Sequence, residues 1–197
     1  ERLVVPDVLN PRFSYGGGKI ITELLAIHYT GKTSLETVIC RPHNVYGPNM
    51  GVGHVIPQFA LRLRDVIEES TQDILEFPII GTGEETRAFC YVLDAIDAIL
   101  LAADHGEHHG IYHVGTEEEV SIRSLAEAVA KHRGIPIQIK VSENLSGAPS
   151  RRCPSIRRLR ALGYEPRWTL EQGIAETVDW YFSSGLSLPG TKEVIIR

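Results

Sequence analysis

The stretch FSYGGGKII, residues 13–21, sets Tyr15 and Lys19 four positions apart with three glycines between them. A phenol titrates near pH 10, so it is a poor base at neutral pH until a neighbouring ammonium favours the phenoxide. Positions i and i+4 lie one above the other on a helix, and this pair shares a face only if the turn between them is helical. Each mid-helix glycine costs about 1 kcal/mol relative to alanine, so a helix here gives up roughly 3 kcal/mol. Either the segment is a turn and the spacing is accidental, or something needs the room.

Other polar residues gather farther along. RPHNVYGPNMGVGH (41–54) is rich in Pro, Gly and Asn and follows the β-branched run TVIC. It reads as an irregular loop leaving the end of a buried strand, at the edge of a cleft. DHGEHHGIYH (104–113) holds four histidines in ten residues. A metal site needs rigid support, and this segment is a glycine-flanked loop, so no metal is expected. Cys40 lies in the apolar run and is expected to be a buried, inert thiol.

The elements that must position these residues follow from periodicity. A helix from near Ser14 would place Ile20, Leu24, Ile27 and His28 on one side and stop at Gly31. Thr37–Cys40 reads as a buried strand, Val55 to about Glu69 as a helix with Ile56, Phe59, Ala60, Leu63 and Ile67 on one face. Residues 74–80 read as a strand, 81–85 as a turn, 88–92 as a strand and 94–103 as a helix. GIYHVG (110–115) is a further strand; Ser121 caps a helix closed by Gly134; Ile135–Val141 alternates as a half-exposed strand would. Thr169 with Gln172 forms a capping box for a last helix through Trp180 and Phe182. Strands and helices alternate, which predicts an α/β fold with a largely parallel sheet, ligands lying at the carboxyl ends of its strands.

Composition narrows the function classes. The chain has 197 residues, 43% apolar and 23% charged, with a formal net charge of −5. That balance argues against broad phosphate-backbone binding, so no nucleic-acid partner is expected. No apolar run approaches the roughly 18 residues of a membrane span, and no membrane role is expected. Three widely spaced cysteines suit a reducing compartment, and the cytoplasm is the expected location. The chain opens ERLVV without methionine and reaches its first motif by residue 15, which reads as a piece of a longer protein.

Taken in order, Tyr15 and Lys19 (YxxxK), then Arg41, Pro42, Asn44, Tyr46, Gly47, Pro48 and Met50 (RPxNxYGPxM), then Gly81, Gly83, Arg87, Phe89, Tyr91, Val92 and Asp94 (GxGxxxRxFxYVxD) resemble the extended short-chain dehydrogenase/reductase family. More narrowly, they resemble its NAD-dependent nucleotide-sugar epimerases and dehydratases. IYHVGTEEEVSIRSLAEAVA and LRALGYEPRWTLEQGIAETVDWY fit the family's C-terminal pattern, so the resemblance covers nearly the whole chain. The family's G-x-G-x-x-G does not occur, and its catalytic Ser or Thr has no counterpart before Tyr15. The chain therefore resembles the C-terminal three-fifths of such an enzyme.

The resemblance implies a remnant of a doubly wound, Rossmann-type parallel sheet with a small α/β substrate-binding lobe. Residues 1–50 and 86–110 would belong to the dinucleotide-binding domain, and 51–85 and 111–197 to the lobe. It implies Tyr15 as general base and Lys19 as its electrostatic partner and a contact of the nicotinamide ribose, with Pro42 also at the cofactor, NAD with NADP as the alternative. Asn44, His54, Val55, Ile80 and Arg87 would meet a nucleoside-diphosphate sugar. The plainer readings are a loop-turn residue for Asn44 and an ion pair to Glu84 or Glu85 for Arg87. The family's late arginine is missing, with Leu145 and Ala148 in the corresponding LSGAP segment. Arg151 or Arg152 could substitute, or could lie on a solvated face. Epimerisation is the expected reaction, with dehydration, decarboxylation or a non-catalytic binding role as alternatives; a homodimer is possible in the family. The glycine trio would let cofactor and sugar approach the helix backbone.

Overall fold

The glycine run is helical. The structure, a computed structural model, describes residues 7, 9–142 and 149–188. In it helix α1 (Ser14–Thr30) passes unbroken through Gly16, Gly17 and Gly18. A Cβ at Gly16 or Gly18 would meet no atom within 4 Å, so packing within the described chain does not demand glycine at either position. After Gly31 the chain enters β1 (Ile39–Pro42), two residues later than TVIC predicts. Its partner is β6 (Ile111–Val114), parallel, with Ile39 opposite Ile111 and Arg41 opposite His113.

The expected strand over 88–92 is divided. Phe89 separates β4 (Thr86–Ala88) from β5 (Cys90–Tyr91), and β5 pairs in parallel with β2 (Val45–Tyr46). Helix α3 (Val92–His105) begins at once. It buries Ala95, Ala98 and Ala102 at helical spacing, and these small side chains let it lie close over Cys90, Tyr112 and Val114. Ile156, Leu159 and Tyr164 complete this cluster from the short helix α5 (Arg157–Ala161) and its flanks. The cluster therefore takes β6 and α5, both within 111–197, into the same core as β1.

A second, larger core gathers α2 (Val55–Glu69), α4 (Ile122–His132) and α6 (Leu170–Ser183) around β3 (Leu75–Ile79) and β8 (Ile137–Val141). Strands β3 and β8 run parallel from Leu75 opposite Ile137 to Ile79 opposite Val141. Along β3, Leu75, Phe77 and Ile79 point inward and alternate with exposed residues, as a half-buried strand requires. Phe59 of α2 meets the Phe77 ring edge-on at 5.4 Å. Ser121 accepts from the Ser124 N–H, and Thr169 and Gln172 make the reciprocal capping box. A three-stranded sheet completes the architecture: β4 lies between antiparallel β7 (Glu119–Ser121) and parallel β9 (Arg151–Arg152). The α/β reading holds, with parallel pairing throughout except at β4–β7. The LSGAP segment with Leu145 and Ala148 lies outside the described residues.

The two cores are joined at Asp94. This carboxylate is 1% exposed and accepts from the backbone N–H groups of Arg167 and Trp168, each at 3.0 Å. The Trp168 ring then lies on Tyr91, centroids 4.2 Å apart. Beside it Gly173 admits no side chain, because a Cβ there would stand 2.2 Å from the Tyr46 hydroxyl. Asp94→Ala is expected to lower unfolding free energy by about 3 kcal/mol, since two N–H groups lose a charged acceptor. Urea denaturation monitored at the tryptophans measures it, and an unchanged midpoint would contradict the joint.

Candidate active site

Tyr15 stands on the first turn of α1 and is 75% exposed. One turn on, the Lys19 Nζ lies 5.2 Å from the centroid of its ring, so the phenol and the ammonium share a face. The same four-residue step continues to Glu23, whose carboxylate accepts two bonds from Arg41, Nε at 2.8 Å and Nη2 at 2.7 Å. Helix and strand are thus tied together where β1 ends. Pro42, the last residue of that strand, is exposed. Next to it His43 Nε2 lies 2.7 Å from His113 Nδ1, joining the carboxyl ends of β1 and β6 by an imidazole–imidazole hydrogen bond.

Beyond His43 the loop turns into the second half of the site. Asn44 adopts φ 40°, a left-handed conformation, and its Nδ2 donates to the Ala88 carbonyl at 2.9 Å. Asn44 therefore has the turn-forming task of the plainer reading, and it also lines a small pocket. That pocket, about 60 Å³, is walled by Asn44, Tyr46, Met50, His54, Val55 and Phe89. The structure thus brings together Asn44, His54 and Val55, at the start of α2. Ile80 is half-buried just past β3 and does not line it.

Arg87 does not pair with Glu84 or Glu85. Glu84 meets Arg123, while the Glu85 carboxylate accepts from the Thr82 and Gly83 N–H groups. The Arg87 guanidinium instead donates to the carbonyls of Thr86, Pro149 and Ser150. Burial, and next the charge of Arg152, pull it below its ordinary pKa. Arg87 and Arg152 are opposite each other on β4 and β9, and strand alternation puts them on the sheet face away from Thr86 and Arg151. Arg151 is bound to Glu119, Nε at 3.0 Å from each carboxylate oxygen. Of the two neighbouring arginines, it is Arg152 that accompanies Arg87.

Three features escape the sequence reading: the Glu23–Arg41 bridge, the His43–His113 bond and the Arg87–Arg152 register. Glu23 was available as a continuation of the Tyr15–Lys19 spacing. The others depend on strand pairing, which a single sequence does not print. Two further histidines of 104–113 serve as stitches: His108 Nδ1 accepts from the Thr37 N–H at 3.1 Å, and His109 Nε2 lies 3.4 Å from the Thr30 hydroxyl. Among the described residues no group of three or more His, Cys, Asp or Glu could hold a metal ion. No helix among them is long and apolar enough to cross a membrane.

The hydrogen bonds from Arg41 hold the Glu23 carboxyl below its usual pKa. A depressed carboxylate contributes stability above its unfolded value, about 4.3, and loses it as pH falls through the folded value. The melting-temperature difference between the native chain and Glu23→Gln is therefore expected to be full at neutral pH and to shrink progressively as pH falls below about 4.3. A difference that stays constant down to pH 3 would contradict this.

Residues 3–115 match the model described as the NAD dependent epimerase/dehydratase family. The chain is similar to the dTDP-glucose 4,6-dehydratase of an Actinoplanes species, 31% identical over 175 residues that cover 88% of this chain and 52% of that protein. It is also similar to UDP-glucuronic acid decarboxylase 5 of Arabidopsis thaliana, 33% identical over 167 residues, 83% of this chain and 46% of that one. Among solved structures, UDP-glucose 4-epimerase of Thermus thermophilus in complex with NAD superposes with a TM-score of 0.72 at 29% identity, covering 86% of this chain and 54% of that one. The chain spans about half the length of these relatives.

Proposed function

The chain belongs to the NAD-dependent epimerase/dehydratase family, and on that premise we propose that it forms the substrate-facing part of an enzyme that epimerises a nucleoside-diphosphate sugar. The observation that carries the proposal is the shared face of Tyr15 and Lys19 on a helix that Glu23 ties to Arg41, three residues before Asn44 of the Asn44–His54–Val55 pocket. Tyr15 accepts the proton of a sugar hydroxyl, and Lys19 keeps a positive charge next to the phenol. Asn44, His54 and Val55 hold the nucleotide side, while the guanidinium fork of Arg87, with Arg152 abreast, suits the diphosphate.

A nicotinamide cofactor fits the exposed group Tyr15, Lys19 and Pro42 and the open space at Gly16 and Gly18. When bound, it supplies the hydride acceptor and donor that a reversible oxidation needs. These residues meet only its nicotinamide end, because the 197 residues contain no G-x-G-x-x-G turn for the pyrophosphate. Dehydration and decarboxylation start from the same oxidation as epimerisation, and the Tyr15–Lys19 pair supplies the proton acceptor that this shared step asks for. The exposed Leu24, Leu25 and Tyr29 of α1 suit contact with a second copy.

Titration of the 197-residue chain with UDP-glucose and with NAD, alongside product analysis on the complete protein, tests the proposal. Sugar-nucleotide binding by the chain and a 4-epimer from the complete protein are expected. Binding of neither ligand would favour a non-catalytic interaction module, and a deoxy-keto sugar as product would replace epimerase with dehydratase.

A further inference from the structure

We propose that the Glu23–Arg41 bridge is the positioning device that sets Tyr15 and Lys19, fixing the rotation of α1 about its own axis over the end of β1. The inference rests on the functional reading above and adds a residue pair to it. Consecutive residues advance about 100° around a helix, so Tyr15, Lys19 and Glu23 occupy an arc of about 80° over about 12 Å of axis. Whatever fixes Glu23 fixes the bearing of the other two. Both side chains of the bridge are 17% exposed, and the two parallel hydrogen bonds restrain direction as well as distance.

Apolar packing supplies little of this restraint among the described residues. Ile21, Leu24, Leu25 and Tyr29 are 49–70% exposed, and Thr30 is the one buried residue of α1. A second tie exists at the far end, where Thr30 bonds Thr37 at 2.7 Å and lies beside His109. That tie is fifteen residues from Tyr15 and controls where the helix ends. Side-chain tips ride roughly 5–6 Å from a helix axis, so a rotation of about 10° moves a tip by about 1 Å. A displacement of that size can cost about 100-fold in rate.

Arg41 also lies opposite His113, which bonds His43, the neighbour of pocket-lining Asn44. The bridge thus refers the helix to the same strand ends that carry the loop.

The test uses the complete protein with Glu23→Gln, Arg41→Lys and, as a control at the far tie, Thr37→Val. Glu23→Gln is expected to lower kcat at least 10-fold with KM for the sugar nucleotide within 2-fold, and to raise amide exchange over residues 15–25 about 10-fold. Arg41→Lys keeps the charge and loses the fork, so its kcat should fall between the two. Thr37→Val should speed exchange near residue 30 and leave kcat unchanged. Native kcat in Glu23→Gln, or an equal kcat loss in Thr37→Val, overturns the proposal. If the native protein turns over no sugar nucleotide, the functional reading fails, and the exchange data still decide the bridge: unchanged protection over 15–25 overturns it.

Discussion

Tyr15→Phe is expected to lower kcat of the complete protein by roughly 10²–10⁴-fold, the range that a positioned proton-transfer group contributes. The substitution removes one oxygen and leaves the ring that lies 5.2 Å from the Lys19 Nζ. Because the phenol is 75% exposed, its loss creates no cavity within the described chain, and the melting temperature should stay within about a degree. The binding constant for the sugar nucleotide should hardly change, since the Asn44–His54–Val55 pocket is untouched. Steady-state kinetics and ligand titration separate these quantities. A variant with more than a tenth of native kcat would remove Tyr15 from the proposed role.

The second large effect is expected at Arg87. Arg87→Leu should weaken sugar-nucleotide binding about 30–150-fold, corresponding to the 2–3 kcal/mol of a charge-assisted bond lost from a partly desolvated site. Its guanidinium also ties the Pro149 and Ser150 carbonyls, so part of the loss would come from the segment leading into β9. Arg87→Lys distinguishes the two contributions. A lysine keeps the charge but cannot reach several carbonyls from one rigid plane, so affinity should recover only in part. Full recovery would reduce the site to a charge, and native affinity in Arg87→Leu would place the diphosphate elsewhere.

Local signals carried much of this fold. The capping box at Thr169 and Gln172, the Ser121 cap and the apolar stripe of α2 are short-range patterns, and each appears where its chemistry requires. Element ends were less legible. TVIC reads as a strand because Thr, Val and Ile favour the pleat, yet pairing with β6 starts at Ile39, opposite Ile111. Phe89 breaks one expected strand into two because β4 and β5 belong to different sheets. In the candidate site, the four-residue spacing of Tyr15 and Lys19 was legible locally, whereas Asn44 and His54 were singled out by the family resemblance and not by a local signal. The companionship of Arg87 with Arg152 was not, because it depends on β4 and β9, distant in sequence, being brought level.

That companionship has a mechanical side. Two like charges held abreast on a parallel ladder push against the hydrogen bonds that join β4 to β9. A doubly charged anion seated between them would turn the repulsion into a clamp, and the corner of the sheet would stiffen as it fills. Occupancy would then be felt along the backbone that runs from Arg152 into α5, as a change in rigidity.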